Sequence, residues 1–204
     1  MHDASLEMIS AHAKEGCRLR EEFFRDAAPK LQKTARIMAQ CLDSGGKLLL
    51  CGNGGSAADA QHVAAEFVGR FLKDRPALPA IALNCNTSSL TAIGNDMGYD
   101  TTFSRQVEAF GKEGDVLLAY STSGKSPNVL AALQAAWQKG LVTVGFTGQG
   151  GGQCTAFCDI LLDVPSTRTP LIQEIHIAAS HVICLLAEYY LYENTDALAS
   201  DDEK

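Results

Sequence analysis

The sequence predicts an α/β protein built as three layers: a parallel five-stranded sheet with helices on both faces, preceded by an N-terminal helical pair. Three observations predict it. Short apolar runs recur at 47–51, 80–84, 116–120, 141–147 and 159–163, each bounded by glycine, proline or polar residues, as buried strands are. Helix-forming segments alternate with these runs, and such alternation is the signature of parallel pairing. The length of 204 residues suits one domain around a sizeable core.

The elements follow in order. Residues 4–43 read as two helices. Leu6, Ile9, Ala13 and Cys17 make one apolar stripe, continued by Phe23 and Phe24. Pro29 restarts the chain, and Leu31, Ala35, Met38 and Leu42 make the second stripe. This is more helix than a minimal core needs, so part of the pair is expected to pack on another subunit. The first strand, 47–51, runs into Gly52-Asn53-Gly54-Gly55-Ser56 and an Ala-rich helix over 57–71, with Ser56 as its N-cap. Arg75–Pro79 connects to strand 80–84. Then come a capped loop at Cys85–Ser89, a short helix, a polar glycine turn at Gly94–Gly98 and a helix over 101–111. Strand 116–120 enters Ser121-Thr122-Ser123-Gly124-Lys125-Ser126-Pro127 and a helix over 127–139. Strand 141–147, a glycine loop, a short helix at 152–157, strand 159–163 and a long helix from Pro170 to about Tyr192 complete the core. The expected organisation is one domain over 1–193, with helices in 1–44 and the α/β core in 45–193. Residues 194–204 form an acidic, frayed tail.

Composition excludes several function classes. Net charge is −7 and no basic cluster exists, so nucleic acid is excluded as a direct partner. No uninterrupted apolar run reaches the roughly 18–20 residues that span a bilayer, and the first sixteen residues carry acids without a leader-like apolar core. Seven cysteines are scattered; Cys154 and Cys158 have no second pair at ligand spacing. That is neither a disulfide framework nor a zinc finger, and it points to a reducing, cytoplasmic setting.

Three constellations carry chemistry. The turn at 52–56 lies between strand and helix, where backbone N–H groups and the positive helix end face an anion. It lacks the Gly-Lys-Ser/Thr of a nucleoside-triphosphate loop and the third glycine of a dinucleotide loop. One turn into the helix, His62 and Glu66 share a face, and a carboxylate among Val63, Ala64, Ala65, Phe67 and Val68 is costly to bury without a role. The second constellation is the loop at 121–127, whose hydroxyls and N–H groups at the carboxyl end of a parallel strand can envelop a phosphate. The third is the last helix, apolar nearly all round, where Gln173, His176 and His181 stand out. The helical wheel does not choose between the two histidines.

Together, CGNGGSAADAQHVAAEFVGRF, Asn95-Asp96, STSGKS and LIQEIHIAASH resemble the sugar-isomerase (SIS) domain and, more narrowly, the bacterial sedoheptulose 7-phosphate (phosphoheptose) isomerases, over roughly residues 30–190. The resemblance implies a flavodoxin-like sandwich, a homotetramer with sites at subunit contacts, and an aldose–ketose isomerase that needs no nucleotide. It implies Glu66 as general base and His181 as general acid. Ser121, Thr122, Ser123 and Ser126 would hold phosphate; Asn53, Gly54, Gly55, Ser56, Asn95, Asp96 and Gln173 would contact the sugar. It also implies zinc on His62, Glu66, Gln173 and His181. Where many relatives carry Arg before Ile172, this chain has Leu171. Two other members of the broader family set the alternatives: a non-catalytic protein that binds a replication initiator, and a sugar-phosphate sensor.

Overall fold

A computed structural model describes residues 3–198. Five strands form one all-parallel sheet: β1 (Leu48–Gly52), β2 (Ala80–Ala82), β3 (Val116–Ser121), β4 (Val142–Thr147) and β5 (Ile160–Asp163), in the order β2-β1-β3-β4-β5. This is the flavodoxin-like order, in which connections on either side of β1 and β3 run in opposite directions and open a crevice at the strands' carboxyl ends. Because side chains alternate along a strand, each strand feeds two cores. Leu48 and Leu50, Val116, Leu118 and Tyr120, and Val144 and Phe146 pack beneath α1 (Ser5–Asp43), α2 (Gly55–Val68) and α6 (Thr169–Tyr192). On the other face Leu49, Cys51, Leu117 and Ala119 meet α4 (Ser104–Phe110) and α5 (Pro127–Gln138). The remaining helix, α3 (Thr87–Met97), has no buried residue.

The expected N-terminal pair is a single helix. Pro29 lies inside α1 and does not break it. An interior proline costs about 3 kcal/mol, but here Pro29 and Arg25, whose carbonyl it deprives of a partner, both lie on the exposed side of the helix. The stripe of Leu19, Phe23, Ala27, Leu31, Ala35, Met38 and Leu42 continues through that position in one phase and is buried throughout. A break would rotate half of it off the sheet. The first fourteen residues of α1 are mostly exposed, including Leu6, Met8 and Ile9.

Three other expectations are corrected. The glycine turn at 94–98 is instead the end of α3, which Asn86 caps by accepting from the Ser89 N–H at 3.0 Å; only Gly98, at φ 89°, turns the chain. The following helix is shorter than 101–111 because a 3-10 turn occupies Tyr99–Thr101. Ser56 is not an N-cap: α2 starts at Gly55, with Gly54 at φ 56° before it, and Ser56 is buried in the first turn. Of the tail, Thr195–Ala197 forms a short 3-10 turn and the Leu198 carbonyl accepts from Gln40 Nε2 at 3.1 Å; residues 199–204 lie outside the described residues.

One 18-residue window of α6 is apolar enough to cross a membrane by length and composition, although no single run in it is uninterrupted; 56% of that window is buried inside the fold. It is the central helix of the larger core, flanked by α1 and α2.

Candidate active site

The two cradles are neighbours because their strands are. In the β1–β3 register Gly52 lies opposite Tyr120, so the turns that leave these strands emerge side by side at the crevice. Gly52 is required there: a Cβ would stand 2.6 Å from the Ser56 carbonyl oxygen. Asn53 joins the two turns. Its Nδ2 donates to Asn128 Oδ1 at 2.8 Å, and Asn128 Nδ2 donates back to Asn53 Oδ1 at 2.9 Å. Tyr99 Oη also donates to Asn53 Oδ1, at 3.1 Å. Asn128 and Tyr99 escaped the sequence reading; the Asn in the first turn after Ser126-Pro127 was the available signal.

In the second cradle Ser121 and Ser126 pair through their hydroxyls at 3.1 Å. Ser126 occupies the N-cap position of α5 without a side-chain cap bond; Pro127 has no N–H and the Val129 and Leu130 N–H groups donate to the Ser126 carbonyl, which leaves the Asn128 N–H for a ligand. Gly124, at φ 62°, fixes the loop: its carbonyl accepts from Gln153 N at 2.9 Å, and its α-carbon presses on Gly151 with no room for a side chain. Ser123 and Lys125 are exposed, and Thr122 is half-buried. Asn95 and Asp96 lie on the exposed end of α3, where Asn95 Nδ2 donates to Asp96 Oδ1 at 2.7 Å.

The third group forms where α2 and α6 run side by side. His62 Nε2 lies 2.9 Å from His181 Nε2 and 3.1 Å from Glu66 Oε1, and one ligand atom from each of the three residues falls within 4.8 Å of the others. His62 is about half exposed, Glu66 one-fifth. Phe71 stacks on the His181 ring with centroids 5.7 Å apart and planes 27° from parallel. A tetrahedral ion with bonds of about 2.0–2.1 Å holds its ligand atoms about 3.3 Å apart; the two separations from His62 Nε2 are close to this, and two imidazoles with a carboxylate are a donor set that suits zinc. Three protein ligands leave a fourth position for a substrate oxygen.

Gln173 stands apart from this group. Its amide packs on the start of α2, where a Cβ on Gly55 would lie 2.7 Å from its Nε2. It precedes His181 by eight residues, about 12 Å along the helix, and belongs with the first cradle. Asp59, missed in the sequence, is one turn before His62, with a buried Oδ2 that has no partner; burial raises its pKa.

The structure also separates the two histidines. His176 is fully buried between Tyr120 and Phe146 and bonds the Thr147 carbonyl through Nε2 at 3.0 Å. Burial pushes its pKa down to about 4, against a smaller upward effect of that hydrogen bond. It is a neutral core residue. Leu171 is likewise a core side chain, not a substrate contact.

The SIS-domain family profile matches residues 11–148. A phosphoheptose isomerase of Desulfovibrio desulfuricans is 62% identical over 199 residues, 98% of this chain and 95% of that protein. The chain belongs to the phosphoheptose isomerase family of SIS-domain proteins. A second phosphoheptose isomerase, from Burkholderia pseudomallei, is 58% identical over 79% of this chain and 82% of its own. The structure of phosphoheptose isomerase GmhA from Neisseria gonorrhoeae superimposes with a TM-score of 0.85 at 45% identity, covering 90% of this chain and 98% of that one. Phosphoheptose isomerases are enzymes, and this SIS domain is one of them.

Proposed function

We propose that this enzyme converts sedoheptulose 7-phosphate to D-glycero-D-manno-heptose 7-phosphate, the first step toward ADP- or GDP-linked heptoses for lipopolysaccharide or other surface glycans. The observation that carries the proposal is the meeting of Glu66, His62 and His181 on two helices of a phosphoheptose-isomerase fold. An initiator-binding protein has no use for such a group, and nothing in the relatives supports that alternative.

The ketose-to-aldose shift moves a proton from C1 to C2 through an enediol. In our reading Glu66 takes the C1 proton and returns it to C2, while His181 protonates and deprotonates the oxygens. His62, within hydrogen-bond reach of both, orients them. The hydroxyls of Ser121, Thr122, Ser123 and Ser126, with the Asn128 N–H at the start of α5, hold the 7-phosphate. Asn53, Gly54, Gly55, Ser56, Asn95, Asp96 and Gln173 hold the sugar. Binding energy from the remote phosphate then positions the reacting carbons. We assign zinc to His62, Glu66 and His181; when bound it polarises the carbonyl. The resemblance adds Gln173 as a ligand, which its place beside Gly55 does not favour within one chain. No nucleotide cofactor is expected.

We further propose a homotetramer. Gly55 and Glu66 are eleven residues apart on α2, about 16 Å, longer than a seven-carbon sugar reaches from its phosphate to its first carbon. A second copy would complete the site, and the unburied helix α3 and the exposed start of α1 offer surfaces for it. Free cysteines throughout support a cytoplasmic location. The test is direct: purified protein incubated with sedoheptulose 7-phosphate should form the aldose by proton NMR. Its failure to form with correctly folded protein overturns the proposal.

A further inference from the structure

One charged group outside the site is buried and linked to both of its helices. Glu188 and Arg75 pair at 2.8 Å between Glu188 Oε1 and Arg75 Nε, with side chains only 2% exposed on each side. Glu188 stands on α6 seven residues after His181, so the two lie on one helix face about 10 Å apart along the axis. Arg75 comes from the connector that leaves α2. Its other donors reach back to the last turn of that helix: Nη2 to the Glu66 carbonyl at 2.7 Å and Nη1 to the Phe67 carbonyl at 2.9 Å. The helix end leaves both carbonyls without a helical partner; that of Phe67 also accepts from the Leu78 N–H at 3.0 Å. The guanidinium thus caps the turn that carries the general base.

The carboxylate does a matching job. Glu188 accepts backbone N–H groups from Phe71 at 3.2 Å, Leu72 at 3.1 Å and Lys73 at 3.1 Å. Burial alone would raise its pKa; the N–H groups and the guanidinium more than offset this and hold the carboxyl below its ordinary range. The segment it pins includes Phe71, whose ring stacks on His181. Both members of the pair therefore lead to the site within one residue. Arg75 ends on the backbone of Glu66, and Glu188 ends on the backbone of the residue that flanks His181.

We propose that the Arg75–Glu188 pair is a positioning clamp for the isomerase reaction, setting the separation of α2 and α6 and thereby the approach of Glu66 to His181. The proposal rests on the assignment of Glu66 and His181 as base and acid. A fold needing only to fill this space would be served as well by apolar side chains, since buried ion pairs contribute little net stability. A pair that also caps the base-bearing turn and anchors the ring on the acid has a geometric task. Lysine cannot replace the guanidinium, because a compact ammonium lacks the fork that serves the Glu66, Phe67 and Pro76 carbonyls and a carboxylate at once.

The test is steady-state kinetics of full-length Arg75→Lys with sedoheptulose 7-phosphate, alongside circular dichroism and the thermal midpoint. The clamp predicts a folded variant whose kcat falls roughly tenfold to a hundredfold, the scale of a small misplacement of catalytic groups. KM should stay within about twofold, because the clamp holds the end of α2 away from the first cradle, and the second cradle leads into α5. An unchanged kcat in folded protein overturns the proposal. So does a loss of kcat no larger than the loss of folded protein, or one matched by an equal rise in KM. If Arg75→Lys does not fold, Glu188→Gln, which keeps the side-chain shape, is read by the same criteria; failure of both to fold overturns the clamp. Glu66→Gln measured in parallel separates the two levels: if it stays active, the base assignment fails whatever Arg75→Lys does.

Discussion

Protonating His176 should destabilise this protein, and the cost can be worked from its surroundings. The ring is wholly buried between Tyr120 and Phe146; Nε2 bonds a carbonyl and Nδ1 has no partner. Burial depresses its pKa from 6.5 in the open chain to about 4 in the fold. A depressed histidine leaves stability untouched above pH 6.5. As pH falls from 6.5 toward 4 the unfolded chain takes up a proton that the native state refuses, and stability drops by about 1.4 kcal/mol per unit. At pH 5 the loss from this group is about 2 kcal/mol, approaching about 3 kcal/mol below pH 4. The assay is urea denaturation at pH 7.5 and 5.0, at fixed protein concentration, for the native chain and His176→Leu. Leucine preserves most of the volume, and the Thr147 carbonyl keeps its bond from the Val164 N–H at 2.9 Å. Other groups titrate equally in both proteins, so the difference between the two pH dependences isolates His176. The native chain should lose about 2 kcal/mol more than the variant. Parallel losses would refute the reasoning.

Two further predictions concern the site. Protein purified without chelators should carry about one zinc per chain by elemental analysis, since three protein ligands suffice for a catalytic site, and His62→Ala should lose it. A metal-free native preparation with intact turnover would remove zinc from the assignment. Ser126→Ala should raise KM about tenfold or more, the worth of a hydrogen bond to a charged phosphate, with a smaller effect on kcat; unchanged KM would take this hydroxyl out of the phosphate cradle.

The alternation of five apolar runs with helical segments made the sheet legible, because strands buried on both faces leave few other readings. The two βα turns were legible for the same reason: glycine and hydroxyl clusters at strand ends mark the crevice. What escaped had a tertiary cause. Pro29 reads as a break in isolation, yet the stripe from Leu19 to Leu42 is buried only if α1 is continuous. Gly94-Asn95-Asp96 reads as a turn by local preference, but the Asn86 cap carries α3 through it. The wheel of α6 could not separate His176 from His181. The difference lies in whether β4 or α2 faces each ring, which is decided by how α6 lies on the sheet. Asn128, Tyr99, Arg75 and Glu188 gain their roles from partners at least 46 residues away, except for the contacts of Arg75 to α2. A linear reading gives no signal for such pairs.

The central claim is that one carboxylate, Glu66, moves the carbon-bound proton. Its most direct test is Glu66→Gln, with turnover of sedoheptulose 7-phosphate followed by NMR and binding followed by calorimetry. The account predicts that turnover falls by roughly a hundredfold or more, as loss of a general base requires, while binding of the sugar phosphate changes little. Turnover at the native rate in the glutamine variant would contradict it.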